Sequence, residues 1–142
     1  MRKDIQQGVV VSVGSALVDI LVHEDDDFLR QTNAAKGGMT LVNQSFIAKT
    51  LALTSAKAAI VPGGSACNTA VGIGKLGGRA RFIGKCGQGD MACFFEEDLQ
   101  KSGVQPHLFR SASPTGRVLS IVTPDAQGSM FTFLGASSEM TT

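Results

Sequence analysis

The chain has 142 residues, 43% of them hydrophobic and 18% charged, with a formal net charge of +1. That length suits one domain with a real core, and so small a charge gives no electrostatic footprint for nucleic acid or an anionic membrane surface. Eight Phe with neither Trp nor Tyr argue against a base-stacking platform, and no apolar run approaches the length of a membrane span.

Met1-Arg2-Lys3-Asp4-Ile5-Gln6 opens the chain, and no signal-like apolar region follows it. Residues 8–14 are a β-branched run ended by glycine, the pattern of a buried strand. Residues 15–23 are a second apolar segment with one carboxylate inside it, Asp19, between Val18 and Ile20. A carboxylate so placed calls for a neighbour or a ligand to satisfy it; the alternative is an edge strand with one wet face. Its place just beyond the end of a core strand, where open α/β sheets bind ligands, favours a functional role. Residues 24–27 read as a solvated acidic turn and helix start, without the glycine and final glutamate of a calcium loop. A short helix over 28–32, a strand over 40–42, a helix over 44–55 and extended chain over 58–61 follow.

The rest of the chain is organised around Pro62-Gly63-Gly64-Ser65-Ala66-Cys67-Asn68-Thr69-Ala70. Two glycines allow a tight turn and close approach of a ligand to the backbone. Ser65 is a good helix N-cap, and small or apolar residues run on to Leu76 before Gly77 and Gly78. A turn would thus open onto free helix N–H groups with Asn68 in the first turn, an arrangement that suits a polar or anionic ligand. The competing reading is an ordinary glycine turn capping a buried helix.

Beyond it, residues 79–85 read as a strand and Asp90 to about Lys101 as a helix, closed by Ser102-Gly103. Residues 107–109 form another short strand. Residues 116–123 and 129–134 are extended runs around Pro124-Asp125-Ala126-Gln127-Gly128, a hairpin with a five-residue loop. Strand and helix alternate at the spacing of right-handed crossovers, so the fold class is α/β with a largely parallel sheet and a small accessory sheet. Gly72-Ile73-Gly74-Lys75-Leu76-Gly77 matches the dinucleotide fingerprint but lies within a helix, where close packing explains it. Gly87-Gln88-Gly89-Asp90-Met91-Ala92 is better placed, yet its acidic partner about twenty residues on is missing. Cys67, Cys86 and Cys93, an odd number without a C-x-x-C pair, suit free buried thiols in a reducing compartment. His23 and His107 stand far apart, so no metal site is expected.

Taken together, the central run, Leu76-Gly77-Gly78 and Phe82-Ile83-Gly84-Lys85 resemble the N-terminal signature of the ribokinase-like (PfkB) family of sugar and nucleoside kinases. Val11-Ser12-Val13-Gly14-Ser15-Ala16-Leu17-Val18-Asp19 is similar to that family's first strand and substrate aspartate. Thr115-Gly116-Arg117-Val118-Leu119 and Thr132-Phe133-Leu134-Gly135-Ala136 are similar to its later lid and core strands. Lys36-Gly37-Gly38-Met39-Thr40-Leu41-Val42 resembles the adenosine-kinase-like branch and some bacterial sugar kinases. Three positions depart from the pattern: Gln88 and Gly89 replace acidic residues, and Ala92 replaces glycine. Ser15 also stands where some nucleoside kinases have asparagine.

The resemblance implies a ribokinase-like three-layer α/β sandwich. Residues 1–142 would be its N-terminal portion, with segments of a β-sheet lid near 16–23, 38–43 and 116–124. It implies substrate contacts from Asp19, Gly63, Gly64, Ser65 and Asn68, the glycine pair acting as the hinge for the lid. It places the catalytic base and the ATP-binding half beyond Thr142, with ATP and Mg2+ as cofactors of an intact cytoplasmic enzyme. A small-molecule sugar or nucleoside and a second copy, joined through the lids, are the expected partners. Two other readings stay open: a non-catalytic sugar-binding or dimerisation module of the same fold, and a dinucleotide-binding domain using residues 87–92.

Overall fold

The structure is a computed structural model that describes residues 8–141. The N-terminal hexapeptide, read above as lacking a signal-like region, lies outside the described residues. Strand β1 spans Val9–Val13, β2 Leu17–His23, β3 Met39–Leu41, β4 Ala59–Gly63 and β5 Arg79–Cys86. Strands β6 (Val104–Arg110), β7 (Gly116–Val122) and β8 (Gly128–Phe133) follow. The helices are α1 (Asp26–Gln31), α2 (Gln44–Leu51), α3 (Ser65–Lys75) and α4 (Asp90–Lys101), and a 3-10 turn closes the chain at Gly135–Glu139.

The first sheet has order β1-β5-β6 and is parallel throughout. Alternate residues of β5, Ala80, Phe82 and Cys86, turn inward against α3 and α4. Phe82 meets Phe95 of α4 edge-on at 5.7 Å between ring centroids, a favoured aromatic geometry. The second sheet has order β3-β8-β7-β2-β4 and is mixed. Its β7–β8 hairpin and its β2–β4 pair are antiparallel, and its β2–β7 and β3–β8 pairs are parallel. One face packs Ile20, Val22, Leu119, Ile121 and Phe131 against α1 and α2 through Phe28, Leu29 and Ile47. Both helices are capped as local chemistry predicts: Asp25 and Asn43 each accept the N–H of the residue three further on, at 2.9 Å.

Two expectations need correction, and one alternative reading falls. β1 is not buried: it pairs only with β5, and Val9, Val11 and Val13 are 41–59% exposed. The accessory sheet is the larger of the two among the described residues, with five strands against three. β2 is no edge strand either, since it lies between β7 and β4. It also joins the two cores, Val18 packing in the first and Ile20 and Val22 in the second. Sequence periodicity marks a strand as one-faced or two-faced, but its neighbours come from segments about 40 and 100 residues away in the chain, beyond the reach of local patterning.

Candidate functional site

Strand alternation decides where Asp19 points. In β2, Val18, Ile20 and Val22 are buried, so Leu17, Asp19 and Leu21 face the other side of the sheet, away from α1 and α2. Asp19 stands in register with Val118 of β7 and Val61 of β4. Because β4 runs antiparallel to β2, its end brings Gly63 opposite Leu17. A Cβ on Gly63 would fall 2.2 Å from the Asp19 Cγ. The carboxylate therefore lies over the bare backbone of the residue just before the turn, where only glycine fits.

The next residue makes the turn. Gly64 has φ +97°, and a Cβ there would meet the Ser15 carbonyl oxygen at 2.5 Å, so its freedom at positive φ is used. Gly64, not Ser65, is the N-cap of α3; no side chain caps this end, and Ser65 is already helical. The glycine takes the non-helical angles, and the serine hydroxyl is released for other contacts. The first-turn N–H groups have no intrahelical acceptors and carry the positive end of the helix dipole. The Asn68 N–H donates to the Gly64 carbonyl at 2.8 Å, closing the first turn.

Asp19, Gly64, Ser65 and Asn68 line one cleft of about 380 Å³. Burial pushes the Asp19 carboxyl above its ordinary value, and no hydrogen bond to it occurs among the described residues. The group is thus poised to gain from a ligand that donates hydroxyl protons. Gly63 is buried against Asp19 rather than lining the cleft. Behind α3's first turn the Cys67 thiol is fully buried and pushed up to about 12, mainly by burial and then by Asp98 and Asp19. It is a packing group, not a nucleophile.

The other wall escaped the sequence reading. Met39, Val118, Met130, Thr132 and Leu134 come from the second sheet or its end. Val118, Met130 and Thr132 lie in runs read as extended chain; Met39 starts β3 one residue before the strand expected over 40–42, and Leu134, read as extended, instead takes helical angles at the start of the 3-10 turn. Nothing local says which face meets Asp19; the pairing of β7 with β2 and of β8 with β3 decides that.

The two glycine fingerprints have structural explanations. A Cβ on Gly74 would lie 2.2 Å from the Ser102 carbonyl oxygen, so that run of α3 serves close helix packing, as expected. Gly87 does follow a strand, but a Cβ there would lie 2.5 Å from the Ser113 carbonyl oxygen. Its N–H also donates to the Thr115 hydroxyl at 3.1 Å. The chain between β6 and β7 thus packs directly against the first glycine of this loop. Cys67 and Cys86 are buried as expected; Cys93 is exposed. Among the described residues no group of three or more His, Cys, Asp or Glu comes together. No helix among them is long and apolar enough to cross a membrane.

Residues 39–142 match the pfkB family carbohydrate kinases. The chain belongs to that family. A probable fructokinase-2 of Arabidopsis thaliana is 27% identical over 122 residues, which cover 86% of this chain and 30% of that protein. A probable fructokinase-3 from the same plant is 34% identical over 67 residues, 47% of this chain and 19% of the relative. The crystal structure of adenosine kinase from Sinorhizobium meliloti superposes with a TM-score of 0.87 at 35% identity, covering 94% of this chain and 41% of that one. A probable sugar kinase from Rhizobium etli CFN 42 superposes equally well at 33% identity and the same coverage. The α/β fold of this pfkB chain is therefore ribokinase-like, and the chain spans less than half the length of these relatives.

Proposed function

We propose that this chain is the substrate-binding and lid part of a kinase that moves the γ-phosphoryl group of ATP to a hydroxyl of a sugar or nucleoside. The observation that carries the reading is Asp19: a half-buried carboxylate without a hydrogen-bond partner among the described residues, facing Asn68 and the open end of α3 across one cleft. Its two oxygens accept hydrogen bonds from ligand hydroxyls that do not react, while the Asn68 amide and Ser65 hydroxyl donate and accept beside it. Holding the substrate so fixes the direction of the reacting hydroxyl, and positioning is most of what phosphoryl transfer asks of a protein. The second sheet is the lid, with Gly63–Gly64 as its hinge between β4 and α3; on closing it keeps water from the reaction. The general base and the ATP and Mg2+ contacts lie outside these 142 residues, which by themselves transfer no phosphate. Two copies associate through their lids.

Isothermal titration calorimetry with ribose, fructose and adenosine tests the site. Asp19→Ala and Asn68→Ala each leave hydroxyls unpaired and weaken binding by about 1–3 kcal/mol. Unchanged affinity in both variants removes these residues from the site.

A further inference from the structure

Among the described residues the chain passes between its two sheets at four places. Residues 14–16 lead from β1 to β2, and Gly63–Gly64 end β4 and open α3. Residues 111–115 join β6 to β7, and Leu134 leads from β8 into the 3-10 turn, which packs against β5 and β7. The last two crossings are fastened to each other and to the first sheet. Glu139, at the end of the 3-10 turn, accepts hydrogen bonds from the Ser111 hydroxyl at 2.5 Å and from the Ser113 hydroxyl. Lys85 of β5 donates to the Glu139 carbonyl oxygen at 3.1 Å and stands 3.9 Å from its carboxylate. Near the start of the same turn the Ala136 N–H donates to the Pro114 carbonyl oxygen at 2.8 Å. The two hydroxyls, and less strongly Lys85, hold the Glu139 carboxyl below its ordinary value. It is therefore ionised at neutral pH and makes charge-assisted hydrogen bonds.

Resting on the reading of the site given above, we infer that Glu139 is a positioning residue, which clamps the exit of the second sheet to the end of β5 and so sets the wall that Leu134 gives the cleft. Leu134 is the residue just before the 3-10 turn, and it lines the cleft together with Leu17, Asp19 and Asn68. Glu139 does not line the cleft, so its effect on a ligand passes through the turn. A five-residue 3-10 turn has weaker hydrogen bonds than an α-helix, and no side chain caps the start of this one. Its shape depends on what holds its ends, and at one end Glu139 holds Ser111, Ser113 and Lys85 together. The crossings at 111–115 and at Leu134 therefore move as one body. Bending of the second sheet against the first falls to the glycine pair and to residues 14–16, as a lid with few hinge residues requires.

The test joins calorimetric titration of the 142-residue chain with ribose, fructose and adenosine to amide hydrogen exchange. Glu139→Ala weakens binding of whichever of the three the parent chain binds, by about two- to thirtyfold, the range of such indirect coupling. Exchange rises over residues 115–118 and 134–138, while the amides of α4 keep their protection. Glu139→Gln, which keeps an acceptor oxygen, restores part of the affinity, and Glu139→Leu, of similar size without one, does not. Where Glu139→Ala fails to fold, Ser111→Ala/Ser113→Ala removes the two donors instead and gives the same loss. Unchanged affinity with faster exchange makes the clamp structural only and overturns the inference, as does unchanged exchange. If the parent binds in an Asp19-dependent way and the Glu139 variants bind as tightly, only this inference falls. If none of the three binds to the folded parent chain, the reading of the site falls and the inference with it.

Discussion

Asp19 has conflicting demands placed on it. Folding half-buries it against Gly63 with no hydrogen bond to it among the described residues, and the carboxyl responds by moving above its ordinary value. A group whose value is raised on folding favours the fold fully below its unfolded value, and that contribution is lost as pH rises through the folded one. At neutral pH the ionised Asp19 therefore works against stability. Asp19→Asn, nearly the same shape without charge, raises the midpoint of urea unfolding at pH 7, and the gain disappears near pH 4. The same change weakens binding of a hydroxyl-rich ligand, because an amide accepts less well than a carboxylate. A variant that is less stable at pH 7 would show that Asp19 is held by a structural partner. The site carries the strain of an unpaired carboxylate, which is the usual relation between function and local stability.

At the scale of elements, the second sheet is tied together where its connections meet. Lys36, in the loop from α1 to β3, reaches Asp26 of α1 at 2.7 Å and Asp125 of the β7–β8 turn at 2.8 Å. Beside it the Gly37 N–H donates to the Ser129 hydroxyl at 3.0 Å, locking β3 to β8. Lys36 and then Thr123 hold the Asp125 carboxyl down to about 2. Here the folded value is depressed, so the stabilisation is present above the ordinary carboxylate range and is lost as pH falls toward about 2. Lys36→Met weakens this dependence, leaving the part due to Thr123: wild type loses stability faster than the variant on acidification from about pH 4 to pH 2. Parallel curves for the two proteins would rule the tie out as a pH-sensitive contact. Because these groups are solvated, the effect at neutral pH is small and salt-sensitive.

The whole molecule leaves apolar surface open. Leu41, Ile60 and Val61 are 42–62% exposed on β3 and β4, the two edge strands of the second sheet. Edges with apolar side chains invite a partner strand or face. Sedimentation at about 10–100 µM, where weak interfaces begin to fill, is expected to show a dimer that Leu41→Glu/Val61→Glu converts to monomer. A clean monomer of the parent chain defeats the association of lids. A dimer that survives the double variant points instead to the bare valines of β1.

Local chemistry alone determined a good part of this protein. Asp25 and Asn43 start helices because their side chains accept orphan N–H groups, and Gly103, at φ +76°, ends α4 where the sequence says it should. The hairpin around Asp125, the turn at Gly63–Gly64 and the oddness of a lone Asp19 among valines and leucines were equally legible, since each depends on a few adjacent residues. Tertiary structure alone decided what those features face. Pairing of β2 with both β4 and β7 turned a segment readable as an edge strand into an interior one. The same pairing laid Asp19 over Gly63 and set Met39 and Met130 above the cleft. Those contacts join residues tens of positions apart, and one step of strand register would turn each side chain to the opposite face.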